Sequence, residues 1–200
     1  MNLPNVLTAF RLLAAGILLA LFAHGGPWTA TAACGVFIAA AISDWLDGYL
    51  ARSSHGVTTL GQLLDPLADK VLVCAALVSF VEIRLPDADG PLLPAWIVVL
   101  ILTREFLITG LRVLAMKAGR DISAGAWGKH KTFWQMGLIL ALLVALALWR
   151  DWLPRWGLEQ VPLWSRRVVQ GAYWMGLAVA LLTVLSGVVY VRAHRDVWRA

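Results

Sequence analysis

Residues 44–69 read DWLDGYLARSSHGVTTLGQLLDPLAD, and this stretch joins two apolar segments of the chain. Asp44 and Asp47 lie near the end of the first segment, and Asp65 and Asp69 lie near the start of the second. An ionised side chain inside a membrane-spanning segment is costly unless it pairs with another group or faces water. The four aspartates therefore mark a candidate functional site as well as a junction between two helices.

The chain around this stretch is strongly apolar. Of its 200 residues, 60% are hydrophobic and 14% are charged, whereas soluble domains carry about 25% charged residues. About 20 apolar residues in a helix cross a bilayer core. The sequence therefore predicts an all-α, polytopic membrane protein in which residues 1–200 form a single domain with six transmembrane helices. The predicted spans are Val6–Ala23, Trp28–Leu50, Leu63–Ile83, Leu92–Met116, Thr132–Trp149 and Val168–Val191.

Basic residues indicate which way the spans face. An even number of spans puts both termini on one side, and the 51–62 and 117–131 connections lie on that side too. Lysine and arginine are in excess there, which predicts that the termini, these connections and the aspartates face the cytoplasm. The net charge of +5 does not indicate nucleic acid, because the basic residues flank apolar runs and form no stripe with interleaved aromatics.

The spacing of the four aspartates suits a metal site. Asp44 and Asp47 are three residues apart on one helical face, and Asp65 and Asp69 are four apart on the next helix. A short loop makes these helices antiparallel neighbours, so the two pairs can converge. A hard cation such as Mg²⁺ or Mn²⁺ would relieve the repulsion between the carboxylates. The alternative, in which each aspartate caps a helix or pairs with a basic neighbour, explains one or two of them better than four.

Small residues accompany the aspartates. Gly48 and Ala51 follow on the face of Asp44, and Gly61 lies one turn before the third aspartate. They leave space for a bulky group, and Arg52 can reach a phosphate with its planar fork. Helix packing in membranes also favours small residues, so a purely structural role stays open for each one.

Taken together, residues 44–69 resemble the signature of the CDP-alcohol phosphatidyltransferase family, D-x2-D-G-x2-A-R-x8-G-x3-D-x3-D, with no departure. The six-span layout is similar to that family over essentially the whole chain. Four further stretches are most similar to the bacterial members that use glycerol 3-phosphate as acceptor. They are residues 2–8 with Arg11, residues 61–70, residues 104–105 with 111–112, and residues 128–132 with 135–136.

The resemblance implies an enzyme of the cell (inner) membrane. It would transfer the phosphatidyl group of CDP-diacylglycerol to the 1-hydroxyl of sn-glycerol 3-phosphate and release CMP, with Mg²⁺ or Mn²⁺ as cofactor. The resemblance further implies a homodimer, and makes Asp69 the general base as well as the fourth metal-binding carboxylate. The residues implied to line the CDP pocket are Gly48, Ala51, Arg52 and Gly61, with Asn5, Thr8 and Arg11 at its border or, alternatively, anchoring the first helix.

The phosphate of the acceptor requires a second, basic pocket. The candidates are Arg104, Arg112, Lys129 and Lys131, near the cytoplasmic ends of the fourth and fifth predicted spans. Basic residues at such ends also arise as topology signals. Arg104 differs because it lies inside a span beside Glu105, with which it can simply pair.

Other functions fit parts of the pattern. Within the same family, serine, inositol phosphate, choline or phosphatidylglycerol (the acceptor of a cardiolipin synthase) could replace glycerol 3-phosphate. A carboxylate-lined ion transporter would explain buried aspartates but not the spacing of the small residues and Arg52, nor a second basic cluster. An intramembrane metalloprotease would need a His-Glu-x-x-His motif, which the sequence lacks.

Overall fold

The computed structural model of the chain is all-α over the residues that it describes, as the sequence predicts. These are residues 3–50, 59–117, 126–157 and 162–193 for the backbone, and 8–43, 70–115, 131–157 and 164–193 for the side chains. The helices are α1 (Leu3–His24), α2 (Thr29–Leu50), α3 (Thr59–Glu82), α4 (Ala95–Lys117), α5 (Ala126–Ala147) and α6 (Pro162–Ala193). A π-helical turn, Leu148–Trp152, and a 3-10 turn, Pro154–Trp156, follow α5.

Each predicted span overlaps one helix, and the bounds differ most at the starts of α5 and α6, which begin earlier than the apolar pattern indicates. The pattern starts after Lys131 in α5 and after Arg167 in α6, whereas the helices already begin at Ala126 and Pro162. Charged residues end an apolar window without ending a helix, because long basic side chains reach past the apolar region. Pro162 also suits the first helical position, where its missing N–H leaves no hydrogen bond unmade.

Two helical stretches of the described chain, Lys131–Trp152 and Trp164–Ala193, are long and apolar enough to cross a membrane. Large apolar side chains also lie on the outer surface. Leu13 is 65% exposed, Phe133 is 72% exposed and Trp174 is 65% exposed. Soluble monomers rarely expose extended apolar surface, so both features are those of a membrane protein. The six spans and the cytoplasmic termini stay predictions.

The helices pack in a ring. Helix α1 packs against both α2 and α3, α2 against α5, α5 against α6, α6 against α4, and α4 against α3. Apolar side chains from every helix fill the interior, and the largest fully buried ones include Leu18, Phe37, Phe80, Ile101 and Leu143. The two helices that carry the aspartates therefore flank α1.

One end of the ring is fastened by Asp151, which is fully buried in the turn after α5. Its carboxylate accepts hydrogen bonds from the backbone N–H of Trp28 (3.1 Å), the backbone N–H of Thr31 (2.7 Å) and the hydroxyl of Thr31 (2.7 Å). These donors belong to the first turn of α2 and the residue before it, where a helix leaves N–H groups unpaired. Asp151 thus caps α2 from more than a hundred residues away in sequence.

The connection between α3 and α4 lies at this same end. Arg166, in the first turns of α6, donates from Nε to the carbonyl oxygen of Asp87 (2.9 Å), which lies between α3 and α4. Near the ends of α1 and α3, the rings of Phe22 and Phe80 are 6.5 Å apart. Because α2 begins and α3 ends here, the end of α2 and the start of α3 lie at the opposite end of the ring. That opposite end carries the aspartate stretch.

Three tryptophans cluster at the Asp151 end. Trp152 is 37% exposed and Trp156 is 59% exposed, and their rings are 5.9 Å apart. Trp28 joins them, with its ring 5.3 Å from that of Trp152. The guanidinium of Arg155 lies 3.9 Å above the Trp28 ring. An amphipathic aromatic surface of this kind suits a membrane–water boundary.

Candidate active site

The structure places the four aspartates on helices at one end of the ring. Asp44 and Asp47 lie in the last two turns of α2, and Asp65 and Asp69 lie in the second and third turns of α3. The helical backbone gives each pair the predicted spacing along one face. Their side chains lie outside the described residues, so convergence on one metal ion stays a prediction.

The donor set fits a hard cation. Carboxylate oxygens are the ligands that Mg²⁺ and Mn²⁺ prefer, and topology brings the aspartate-bearing parts of α2 and α3 to the same end of the bundle. Among the side chains that the structure describes, no group of three or more His, Cys, Asp and Glu could hold a metal. The aspartates are not in that set, so this finding leaves the predicted site untested.

The structure describes the predicted nucleotide-binding residues only in part. Gly48 lies in α2 and Gly61 lies in α3, so each has the helical backbone that its spacing from the aspartates requires. Ala51 and Arg52 lie outside the described residues, as does the side chain of Asn5 in the first turn of α1. On α1, Thr8 is 4% exposed and Arg11 is 2% exposed. Two polar side chains thus face the interior near the aspartate end.

Three basic side chains of this half of the ring converge on Glu105, which lies in α4 and is 3% exposed. Lys70 from α3 places Nζ 2.6 Å from Oε2 of Glu105. Lys131 from α5 pairs through Nζ with Oε1 of Glu105. Arg104, the residue before Glu105, holds one guanidinium nitrogen 3.6 Å from Oε1. We call Lys70, Arg104, Glu105 and Lys131 the Glu105 cluster. It unites three helices around one carboxylate.

Arg104 also reaches α6. One guanidinium nitrogen donates to the hydroxyl of Ser186 at 3.0 Å, and Ser186 donates in turn to the carbonyl of Thr183 at 2.9 Å. Gly187 makes room for this side chain, because a Cβ built there would lie 3.0 Å from Cγ of Arg104. The same arginine lines a groove of about 460 Å³ between α4 and α6. Arg104 therefore links the Glu105 cluster to α6.

The four predicted phosphate-binding residues are only partly brought together. Arg104 and Lys131 share Glu105, as described above. Arg112 lies two turns further along α4, with its guanidinium 5.7 Å from the ring centre of Tyr190 on α6. Lys129 lies in α5 near Lys131, and its side chain is outside the described residues. The structure thus places two of the four in one charge cluster and a third beside an aromatic ring.

Sequence reasoning did not include Lys70 and Glu105 among the candidate site residues. Both carried a usable signal, since each is a charged residue inside a predicted span. Glu105 was considered only as a partner for Arg104. The spacing along one helix shows neighbours on that helix alone, so the contacts of Glu105 with α3 and α5 required the tertiary structure.

Known proteins with similar sequences point to one enzyme family. Residues 1–184 match the CDP-alcohol phosphatidyltransferase family. The chain is 40% identical to a probable phosphatidylglycerophosphate synthase of Mycobacterium tuberculosis over 200 residues, which covers 98% of the chain and 83% of that protein. It is 40% identical over 155 residues to a CDP-diacylglycerol–glycerol-3-phosphate 3-phosphatidyltransferase of Bacillus subtilis, covering 72% of the chain and 77% of the relative.

A third relative carries a different name. The chain is 36% identical over 207 residues to a cardiolipin synthase (CMP-forming) of Oryza sativa. The match covers all of the chain but only 58% of the rice protein. The chain therefore spans little more than half of that relative, whereas it spans most of the two bacterial ones.

Proposed function

The chain belongs to the CDP-alcohol phosphatidyltransferase family and is an enzyme, and we propose that it makes phosphatidylglycerophosphate. The reaction is the transfer of the phosphatidyl group of CDP-diacylglycerol to the 1-hydroxyl of sn-glycerol 3-phosphate, with release of CMP. The single observation that carries the choice of acceptor is the 40% identity to the mycobacterial synthase, extending over 98% of the chain. The alternative of an ion transporter is not favoured, because the family to which the chain belongs is one of transferases.

Cardiolipin synthesis, with phosphatidylglycerol as acceptor, is the second candidate. It is favoured by the similarity to the rice protein, but that match leaves over a third of the rice protein without a counterpart in this chain. The Glu105 cluster adds a physical argument for the smaller acceptor. Three cations face one carboxylate there, and the monoester phosphate of glycerol 3-phosphate carries about −1.5 to −2 charges at pH 7. The diester phosphate of phosphatidylglycerol carries only one.

The metal-binding role belongs in this proposal to Asp44, Asp47, Asp65 and Asp69. A bound Mg²⁺ or Mn²⁺ would neutralise the pyrophosphate of CDP-diacylglycerol and stabilise the negative charge on the departing CMP oxygen. The support is the chemistry of the donor set and its helical spacing on α2 and α3. We propose Asp69 to be closest to the acceptor.

The chemical step is a displacement at phosphorus. The 1-hydroxyl oxygen of glycerol 3-phosphate attacks the phosphorus that carries diacylglycerol, and the bond from that phosphorus to the CMP oxygen breaks. Asp69 takes the hydroxyl proton as general base. The products are phosphatidylglycerophosphate, CMP and the proton that Asp69 returns to solvent.

Binding of the nucleotide involves residues of α1, α2, α3 and the connection after α2. Gly48, Ala51 and Gly61 leave space for the CDP group, and Arg52 pairs with a phosphate. Asn5 and Thr8 border the pocket from α1. Their support is the position of α1 between the two aspartate helices and the buried side chain of Thr8.

Binding of the acceptor phosphate involves Arg104, Arg112, Lys129 and Lys131. Arg104 and Lys131 are supported by their shared position in the Glu105 cluster, within reach of α3.

In the same proposal the single domain crosses the cell's inner membrane with six helices. The active site faces the cytoplasm, and the enzyme is a homodimer.

The test is CMP release by the purified protein in detergent with Mg²⁺ and CDP-diacylglycerol. Glycerol 3-phosphate, serine, inositol phosphate, choline and phosphatidylglycerol are offered separately. We expect release with glycerol 3-phosphate alone, and mass spectrometry of the lipid product to give the mass of phosphatidylglycerophosphate. Release with phosphatidylglycerol instead would assign the protein to cardiolipin synthesis and refute the proposed acceptor.

A further inference from the structure

We propose that Glu105 is a positioning residue of the acceptor site. It holds Lys70, Arg104 and Lys131 at one point and so fixes the acceptor-binding cations relative to the catalytic carboxylates. The inference rests on the proposed function, because it assumes that an acceptor with a phosphate group binds here. It adds Glu105 and Lys70, two residues outside the predicted site, to the machinery of the reaction.

The contacts are unusually concentrated for one carboxylate. Oε2 of Glu105 is 2.6 Å from Nζ of Lys70, while Oε1 faces both Lys131 and Arg104. The three basic residues come from α3, α4 and α5, and only Lys70 retains appreciable exposure, at 26% of its side chain. A lysine carries a flexible four-carbon stem, so a fixed carboxylate is what gives these amines a defined position.

The charges also leave a role for an anion. In this cluster, one carboxylate faces two amines and one guanidinium. These are the groups that donate charge-assisted hydrogen bonds to phosphate, and a phosphate monoester carries about −1.5 to −2 charges. Glu105 thus holds together basic groups that suit the acceptor phosphate.

Lys70 connects this cluster to the reacting groups. It follows Asp69, the proposed general base, directly in the sequence of α3. Because Lys70 is bound to Glu105, the position of α3 at Asp69 is tied to α4 and α5, which carry the acceptor-binding cations. A small displacement of the acceptor hydroxyl from its general base strongly lowers the reaction rate. Holding α3 in place relative to α4 and α5 therefore favours the reaction.

The test compares Glu105→Gln and Glu105→Asp with Glu82→Gln, which removes an exposed carboxylate from the far end of α3. Steady-state CMP release gives kcat and both KM values in full-length, detergent-purified protein. For Glu105→Gln we expect the KM for glycerol 3-phosphate to rise at least about tenfold, while the KM for CDP-diacylglycerol changes less than about twofold. Glu105→Asp, which keeps the charge, restores part of the loss, and Glu82→Gln behaves as wild type.

A merely structural role would give a different result. It would lower the yield or the unfolding temperature and leave both KM values of the folded fraction unchanged, and this outcome would overturn the proposal. If Glu105→Gln does not fold, Lys70→Met is the deciding variant, because it removes the most exposed cation of the cluster. We expect a rise of severalfold in the KM for glycerol 3-phosphate, and an unchanged value would refute the inference. A wild-type protein that is active only with another acceptor would refute the proposed function, and the KM comparison would then be made with that acceptor.

Discussion

Replacing Asp151 with asparagine should separate the stability of the bundle from its chemistry. The carboxylate of Asp151 is fully buried and accepts three hydrogen bonds from Trp28 and Thr31. Asparagine has nearly the same size but only one acceptor oxygen, and its amide N–H groups would face donors. The asparagine oxygen can take the position of Oδ2, which accepts both bonds from Thr31, but its amide nitrogen cannot accept. At least the bond from the Trp28 N–H is therefore lost, with no cavity to complicate the result.

The magnitude follows from these contacts. A hydrogen bond to a charged group contributes about 1.5–3 kcal/mol, and a buried donor left unpaired costs a similar amount. The loss of one such bond, with the Trp28 N–H left unpaired, predicts a decrease of about 2–3 kcal/mol in the free energy of unfolding. For a chain of about this size, each kcal/mol lowers Tm by about 2–4 °C, so we expect a decrease of about 7 °C. The aspartates lie at the other end of the ring, so kcat below the transition should stay within about twofold of wild type.

The assay is thermal unfolding of the purified protein in one detergent, followed by circular dichroism, with CMP release measured at a temperature where both proteins are folded. Thr31→Val is the matched control, since it removes one hydroxyl donor and should cost about 1 kcal/mol. The effects of the two substitutions should not add in the double variant, because they share one bond. A Tm for Asp151→Asn within about 2 °C of wild type would refute the assigned cap on α2.

Two further substitutions and one depletion test other parts of the account. Gly187→Ala places a Cβ 3.0 Å from Cγ of Arg104 and should raise the KM for glycerol 3-phosphate severalfold. Gly171→Ala is the control and should leave that KM unchanged, because nothing lies within 4 Å of its Cβ. Equal KM values for the two variants would contradict the role of Arg104. Arg104→Lys should also raise that KM, by about tenfold, because lysine lacks the planar fork that reaches Ser186, and a wild-type KM would count against this contact. Chelation with EDTA should abolish CMP release and added Mg²⁺ or Mn²⁺ should restore it; activity that survives chelation would argue against metal held by the aspartates.

The fold was largely predictable because apolar length is a strong signal in a chain of this composition. All six helices overlap the predicted spans, and their bounds differ most at the starts of α5 and α6, where Lys131 and Arg167 interrupt the apolar pattern. The order of helices around the ring was not predictable. The short connection between α2 and α3 indicated that these two helices are direct neighbours, whereas the ring has α1 packed against both of them. Apolar surfaces of membrane helices are chemically alike, so periodicity does not say which faces meet.

The helical positions of the four aspartates were predictable from the sequence, whereas their roles stay predictions. Asp44 with Asp47, and Asp65 with Asp69, needed only the helical period, and the backbone is helical at all four. The Glu105 cluster was harder to predict from the sequence, because it joins α3, α4 and α5 through side chains far apart in sequence. Arg104 carried the right signal, a charge within an apolar span, but its contact with Ser186 depends on how α4 and α6 pack.

The asparagine variant of Asp69, compared with that of Asp44, tests the central claim most directly. The measurement is CMP release from CDP-diacylglycerol with glycerol 3-phosphate, together with Mn²⁺ binding to the same folded proteins. The account predicts that Asp69→Asn lowers kcat at least about a hundredfold, as expected for loss of a general base, while binding Mn²⁺ more tightly than Asp44→Asn does. An Asp69→Asn protein that releases CMP at the wild-type rate would contradict the assignment of the base and with it the proposed chemical step.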